Sequence, residues 1–113
     1  TRETFGKPLI QHQVIRHKLA NMSSKIDALE SLVNSICWNM NNGEVPVAEI
    51  SKAKFFATKE LEYCSSEAMQ ILGGAGYLRG NPVERIYREV KVMAIGGGSE
   101  EIMRDLAARQ MGL

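Results

Sequence analysis

Residues 15–40 read IRHKLANMSSKIDALESLVNSICWNM, and the apolar positions within them decide the fold. Ile15, Leu19, Met22, Ile26, Leu29, Val33, Ile36 and Met40 recur at alternating steps of four and three residues. That spacing draws one stripe along a helix, whereas a half-buried strand would alternate at every second residue. Arg16, Lys18, Asn21, Ser24, Lys25 and Glu30 fall off the stripe and suit a solvated or interdomain face. The pattern predicts one long helix over residues 10–41. Pro8 stands just before it, and Asn41-Asn42-Gly43 supplies the left-handed conformers that commonly end a helix.

Reading outward, Pro46 fits the opening of a second helix, where its missing N–H costs little. Ile50, Ala53, Ala57, Leu61, Cys64, Ala68 and Ile71 step through that helix by three and four. The small residues Ala53, Ala57, Ser65 and Ala68 would let another backbone come close. Gly73-Gly74 stops the helix, and residues 75–81 read as a loop. Pro82 opens a third helix, with Val83, Ile86, Tyr87, Val90 and Met93 expected on its buried side. After Gly96-Gly97-Gly98, Ser99 is the expected N-cap of a last helix that runs to Gly112 through Ile102, Leu106 and Ala107. No segment alternates as a strand would. Two long and two shorter amphipathic helices joined by short connections predict an all-α fold, an antiparallel four-helix bundle, as one domain over residues 1–113. The seven-residue stripe alone would also suit a coiled coil, but three further helices favour the bundle.

The 113 residues carry 14 Lys+Arg against 13 Asp+Glu, a formal charge of +1, which argues against broad electrostatic binding to nucleic acid or anionic membranes. A 44% hydrophobic and 24% charged composition is that of an ordinary globular domain. No apolar run approaches the roughly 18–20 residues of a membrane span, and no secretory leader is visible. Cys37 and Cys64 are too few for a disulfide scaffold and read as thiols in a reducing compartment, small core residues without an activating base. His12 and His17 are five apart, which does not align two metal ligands on one helical face, so no metal site is expected. Glu100 and Glu101 could act as bases, but carboxylates in a helix's first turn also offset its dipole.

The glycine runs carry more chemistry. Glycine-rich turns beside a helix end offer bare backbone N–H groups, and those before a helix N-terminus add a partial positive charge that suits phosphate. Gly73-Gly74 and Gly96–Gly98 can also be read simply as a helix stop and a flexible turn. Two such runs in a chain otherwise sparing of loops favour backbone contact with a ligand.

Four ordered segments together resemble the C-terminal helical domain of the acyl-CoA dehydrogenase family, flavoenzymes that desaturate acyl-CoA thioesters. They are RETFGKPLIQHQ (residues 2–13), KLANM (18–22), QILGGAGY (70–77) and PVERIYREVKVMAIGGGSEEI (82–102). They are similar to the family's R-x-x-F-G-K…Q, K-L-A-x-M, Q-x-x-G-G-x-G-Y/F and P-x-E-R-x-x-R-D-x-K…G-T-x-E-I elements. Ser99 and Glu89 stand where the family usually has Thr and Asp.

The resemblance implies that an N-terminal helical domain and a middle β-domain precede this one, with FAD between the middle domain and the bundle. Thr1 in place of an initiator Met fits either a processed start or a piece of a longer chain. Arg2 resembles the arginine at the FAD pyrophosphate, Phe5 the aromatic packed near the dinucleotide, and Gln13 the glutamine that hydrogen-bonds it. Gln70, Ile71, Leu72, Gly73 and Gly74 resemble the backbone-rich wall around its adenosine and pyrophosphate portion. In the family these elements reach the cofactor of a neighbouring subunit. Ser99, Glu100 and Glu101 resemble the segment that lies against FAD at the last helix's start, and Gly97 and Gly98 fall beside the acyl substrate.

Many members place their proton-abstracting glutamate where this chain has Gly97. The pattern I-G-G-G-S resembles instead the long-chain and isovaleryl branches, whose base comes from an adjacent helix upstream, so no catalytic residue is expected within the chain. The resemblance further implies a homotetramer or dimer, electron-transfer flavoprotein as electron acceptor, and a location in the bacterial cytoplasm or the mitochondrial matrix. The contrasting readings are an inactive relative and a free-standing helical module that only assembles with partners.

Overall fold

The computed structural model describes residues 2–113, so the domain expected over 1–113 has its first residue, Thr1, outside the described residues. Five helices follow one another: α1 Gln13–Asn41, α2 Val47–Leu72, α3 Gly74–Tyr77, α4 Pro82–Ile95 and α5 Glu100–Gln110. The all-α architecture expected from the periodicity is present, with four helices of substantial length and α3 a single turn. Helix α2 is the hub, since α1, α3, α4 and α5 all pack on it. The molecule measures 55 × 25 × 24 Å.

The N-terminus departs from the expectation. Two short strands, β1 Glu3–Thr4 and β2 Lys7–Pro8, form an antiparallel hairpin with Glu3 opposite Pro8 and Thr4 opposite Lys7. Phe5 (φ 51°) and Gly6 (φ 76°) make its tip, both left-handed as a tight two-residue turn between twisted strands requires. A 3₁₀ turn over Leu9–Gln11 then leads into α1, which therefore starts at Gln13 and not at residue 10. The expected loop over 75–81 is also shorter, because Gly74–Tyr77 closes one helical turn. A Cβ on buried Gly76 would stand 3.0 Å from Leu72 Cβ and Met69 O, so a side chain there would push this turn a few tenths of an ångström away from α2.

The face that α1 turns toward α2 is rotated from the predicted stripe. Ile15, Met22, Leu29 and Ile36 are covered, but Leu19, Ile26, Val33 and Met40 are exposed. Their places in the seam are taken by Lys18, Lys25 and Leu32. Lys18 pairs with Glu67 at 3.5 Å and Lys25 with Glu60 at 3.0 Å, seven residues forward on α1 matching seven back on α2. The two helices are thus antiparallel, and the lysine stems cover apolar surface while their ammonium groups reach carboxylates. The Lys25–Glu60 contact lies off the line of an ideal hydrogen bond, yet the pairing holds the ammonium above its ordinary range against desolvation. Tyr63 adds its ring face 4.6 Å from the Lys25 nitrogen.

Helix α2 carries its packing on hydroxyls. Ser51, Thr58 and Ser65 are buried at seven-residue intervals, on one face. Each bonds back to its own helix: Ser51 to Val47 O at 2.8 Å, Thr58 to Lys54 O at 3.2 Å, Ser65 to Leu61 O at 2.7 Å. The predicted small residues Ala53, Ala57 and Ala68 are only half-buried beside this column. On α4, Val90 and Ala94 are buried as the helix packs on α2, whereas Ile86, Tyr87 and Met93, expected inward, are exposed. Ala107 is the buried apolar residue of α5. Burial also pushes the Cys64 thiol up, with Glu60 adding to the effect, which makes Cys64 an unreactive core residue.

The rotated seam has a direct check in the isolated chain. Ile36→Ala, at a buried position, should cost about 2–4 kcal/mol, and Val33→Ala under about 1 kcal/mol. Urea unfolding of both variants measures the difference, and equal losses would restore the original stripe.

Candidate functional site

The residues singled out by sequence gather at the two ends of α2. At its C-terminal end the Arg2 guanidinium donates to Leu72 O at 2.7 Å, joining segments seventy positions apart. The carbonyls there are the negative end of a 26-residue helix, which favours a cation. Gly73 follows at φ 64°, and a Cβ on it would stand 2.7 Å from Arg2 Nη1. Glycine is therefore favoured here by the turn, and a side chain would also displace the Arg2 guanidinium from its present place. Gln70, Gly73 and Gly74 line a shallow hollow with Met69 and Tyr77, and Ile71 lines an adjoining apolar cleft with Arg2 and Leu9.

The hairpin is anchored beside them. His12 Nε2 lies 3.0 Å from both the Thr4 hydroxyl and Thr4 O. Phe5 at the tip is 98% exposed and meets His12 only edge-on, with ring centroids 6.3 Å apart. A bulky residue with left-handed φ and a bare aromatic ring gains little from its own chain. Gln13, exposed in the first turn of α1, comes directly after His12. From sequence, His12 stood out only as one of two histidines five residues apart. It is the link between hairpin and helix, and nothing in the spacing of two histidines would have shown that.

The second group lies near the N-terminal end of α2. Gly97 (φ 69°) has open space where a Cβ would be, while a Cβ on Gly98 (φ 110°) would run into the Met103 side chain. Ser99 accepts from Ile102 N at 3.3 Å and caps α5, as expected. Glu100 is buried against α2, accepting from the Thr58 hydroxyl at 3.3 Å, with Lys59 and Arg104 at 3.5 and 3.6 Å. Its carboxylate is thus engaged within the chain. Glu101 faces outward; a hydrogen bond from its own backbone N–H holds its carboxyl below the usual range, helped by Ser99, Arg104 and Lys59 against desolvation. A weakened carboxylate of that kind is a poor proton acceptor near neutrality. Lys54, which the sequence reading passed over, donates from Nζ to Met93 O and Gly98 O at 2.9 Å and to Gly96 O at 3.3 Å.

Lys54 and Leu72 are eighteen residues apart on one helix, about 27 Å at the helical rise of 1.5 Å per residue. The two groups therefore do not form one pocket within the chain. The Arg2 end suits FAD on its donor set: a guanidinium with N–H groups beyond the one used on Leu72, an uncovered aromatic ring, and a glycine turn with open space over Gly74. The larger hollows lie elsewhere, between α2 and α4 around Tyr63, Tyr87, Arg88 and Lys91. Among the described residues there is no cluster of three metal-ligating side chains, and no helix is long and apolar enough to cross a membrane.

Comparison with known proteins covers nearly the whole chain. The family model described as acyl-CoA dehydrogenase, C-terminal domain, matches residues 1–112. A 3-(aryl)acrylate reductase of Clostridium sporogenes is 37% identical over 97% of this chain and 29% of its own length. The mitochondrial isovaleryl-CoA dehydrogenase of rice (Oryza sativa subsp. japonica) is 34% identical over 97% of this chain and 27% of its own. The crystal structure of an acyl-CoA dehydrogenase from Geobacillus kaustophilus superposes with a TM-score of 0.95 at 34% identity, over 100% of this chain and 30% of that one. The chain thus spans under a third of the length of the relatives it matches.

The hairpin tip offers a test of the strain at Phe5. Asn accepts the left-handed conformation and pairs well with a following glycine, so Phe5→Asn should raise the chain's stability by roughly 0.5–1 kcal/mol. A lower urea midpoint in that variant would mean the ring contributes more to folding than its exposure suggests.

Proposed function

The chain belongs to the acyl-CoA dehydrogenase family, whose C-terminal domain it matches, and from that membership we propose that the full-length protein is an FAD-dependent acyl-CoA dehydrogenase. Residues 1–113 would form one domain of it, covering the cofactor and joining subunits. The observation that carries this reading is the Arg2 guanidinium seated on Leu72 O, which brings the hairpin and the Gly73-Gly74 turn to one spot. Composition alone would not unite two segments so far apart in sequence.

At that end Arg2 would hold the FAD pyrophosphate with the N–H groups not spent on Leu72, and Phe5 would cover the dinucleotide. Gln13 and Gln70 would supply hydrogen bonds, and residues 71–74 a wall with little side chain in the way. At the other end, Gly97 and Gly98 would border the acyl thioester. The backbone at Ser99, Glu100 and Glu101 would face the flavin of a different FAD molecule. The 27 Å between the ends supports a domain that serves two cofactor sites, one of them completed by a neighbouring subunit, hence a dimer or tetramer. When bound, FAD supplies the hydride acceptor for α,β-desaturation of the thioester.

The chain's own contribution to proton transfer is to stay out of it. Gly97 has no side chain, Glu100 is held by Thr58, Lys59 and Arg104, and Glu101 is a weakened base. The base would come from another part of the full-length protein, as in the isovaleryl-like branch, with electron-transfer flavoprotein as acceptor. Bacterial cytoplasm or mitochondrial matrix is the matching location.

Turnover of the full-length protein on straight and branched acyl-CoAs with an artificial acceptor tests the activity. A 3-(aryl)acrylate belongs in the same panel, with a reduced dye, because one relative carries that activity in its name. Absence of turnover on every thioester would overturn the dehydrogenase reading. Arg2→Ala should weaken FAD retention by about 1.5–3 kcal/mol while leaving the helices folded. Arg2→Lys can reach Leu72 O but cannot fork onto two phosphate oxygens, so it should recover only part of the loss.

Gly97→Glu probes the substrate end. Space is open there, though φ 69° strains any side chain. A second carboxylate near the upstream base should raise that base's pKa and crowd the acyl group. Activity should fall on the native substrate and shift toward shorter, straight chains. A gain of activity in a parent that had none would show that the parent lacked a working base.

A further inference from the structure

We propose that Lys54 is a positioning residue for the acyl-CoA site, locking the Gly96–Gly98 loop and, through it, the start of α5. The inference rests on the dehydrogenase reading for what the loop touches, but its geometry is independent of that reading. Three consecutive glycines have no side chains to fix them and lose the most conformational freedom on ordering. Gly97 contacts nothing where a side chain would begin, and Gly97 and Gly98 both hold left-handed φ. Such a run needs an outside anchor.

Lys54 provides one. Its ammonium has three N–H donors, and each finds a carbonyl: Met93 O in the last turn of α4, Gly96 O just past it, and Gly98 O at the end of the loop. Helix α4 has no basic residue in its own last turn, so Lys54 supplies from α2 the cation that the helix's carbonyl end attracts. One turn further along α2, Thr58 donates to Glu100, and Lys59 pairs with the same carboxylate. The end of α4, the loop and the first residue of α5 are thus gripped by successive turns of one helix. Since Ser99 caps α5 immediately after Gly98, displacement of the loop would displace the cap and the backbone N–H groups behind it.

Lys54 touches neither substrate nor cofactor in this arrangement, and its effect is to hold geometry. Loss of a charge-assisted cluster of this kind should loosen the loop on the order of 10–100-fold. The test compares the full-length protein with its Lys54→Met and Lys54→Arg variants. Three quantities are followed: amide exchange over residues 97–101 against residues 60–68, kcat and KM for the acyl-CoA that turns over best, and bound flavin. In Lys54→Met, exchange at 97–101 should quicken about tenfold or more while 60–68 stays protected. Turnover should fall by a similar factor with most of the flavin retained, because the pyrophosphate contacts proposed for Arg2 and the Gly73 turn lie at the opposite end of α2. Lys54→Arg keeps a cation of comparable reach and should recover part of both losses.

Unchanged exchange at 97–101 in Lys54→Met overturns the proposal. A fall in kcat matched by loss of flavin and loss of protection at 60–68, with no recovery in Lys54→Arg, also overturns it, since that is general destabilisation. If Lys54→Met does not fold, Lys54→Gln, which shortens the stem and removes the charge, decides by the same exchange comparison with the parent. A protein inactive on all thioesters would defeat the dehydrogenase reading, while amide exchange would still decide whether Lys54 holds the loop.

Discussion

Ser51, Thr58 and Ser65 form the column on which the rest of the domain depends. A hydroxyl is small enough to admit a neighbouring backbone, but it cannot be buried without a hydrogen-bond partner. Each of the three meets that requirement within α2 by bonding to the carbonyl four residues back, a habit that fits such residues to helix interiors at slight cost. A larger apolar residue at Thr58 would lose the bond to Glu100 at the start of α5. The single Thr58 proton is shared between Lys54 O at 3.2 Å and the Glu100 carboxylate at 3.3 Å, so a residue chosen for packing also sets where α5 begins.

Helix α2 therefore does more than fill the core. One end presents Lys54 and Thr58 to the glycine loop and α5, and the other presents Leu72 O to Arg2 and turns away through Gly73. The chemistry-bearing segments are short and rich in glycine, with little rigidity of their own. Their positions are inherited from a 26-residue helix against which the other helices pack. The same arrangement takes up the carboxylates nearest the scaffold: Glu60, Glu62, Glu67 and Glu100 are each committed to a lysine or arginine.

The helical period was legible because Ile15, Met22, Leu29 and Ile36 lie on both the predicted stripe and the observed seam. Leu19, Ile26, Val33 and Met40 were equally apolar, and a pattern of apolar residues alone could not tell which neighbours of the common line face inward. Lys18 and Lys25 decided that, through long stems that pack and ammonium groups that find Glu67 and Glu60. Charge suggested exposure, and pairing reversed it. The hairpin escaped notice because two-residue strands leave no alternation to read, and phenylalanine is a poor signal for a left-handed turn. Ser99 was recognised as a cap since its partner is only three residues away. Lys54 was not, because its three acceptors are 39 to 44 residues distant. Arg2 and the 70–74 turn were singled out through family resemblance, and their meeting point depends on how α1 and α2 pair.

The Arg2–Leu72 bond also sets an order of events during folding. The ion pairs between α1 and α2 close loops of 35 and 49 residues, and Lys54 reaches its carbonyls across about the same span. Arg2 must find a partner seventy residues away, on a helix end that is presented only after α2 has formed. The entropy of closing that loop on an open chain is steep for a single hydrogen bond. Once α1 lies antiparallel on α2, however, the hairpin at the start of α1 is already carried to the end of α2. The N-terminal segment is therefore the last part to dock and the first to come away, a latch that closes over helices assembled without it.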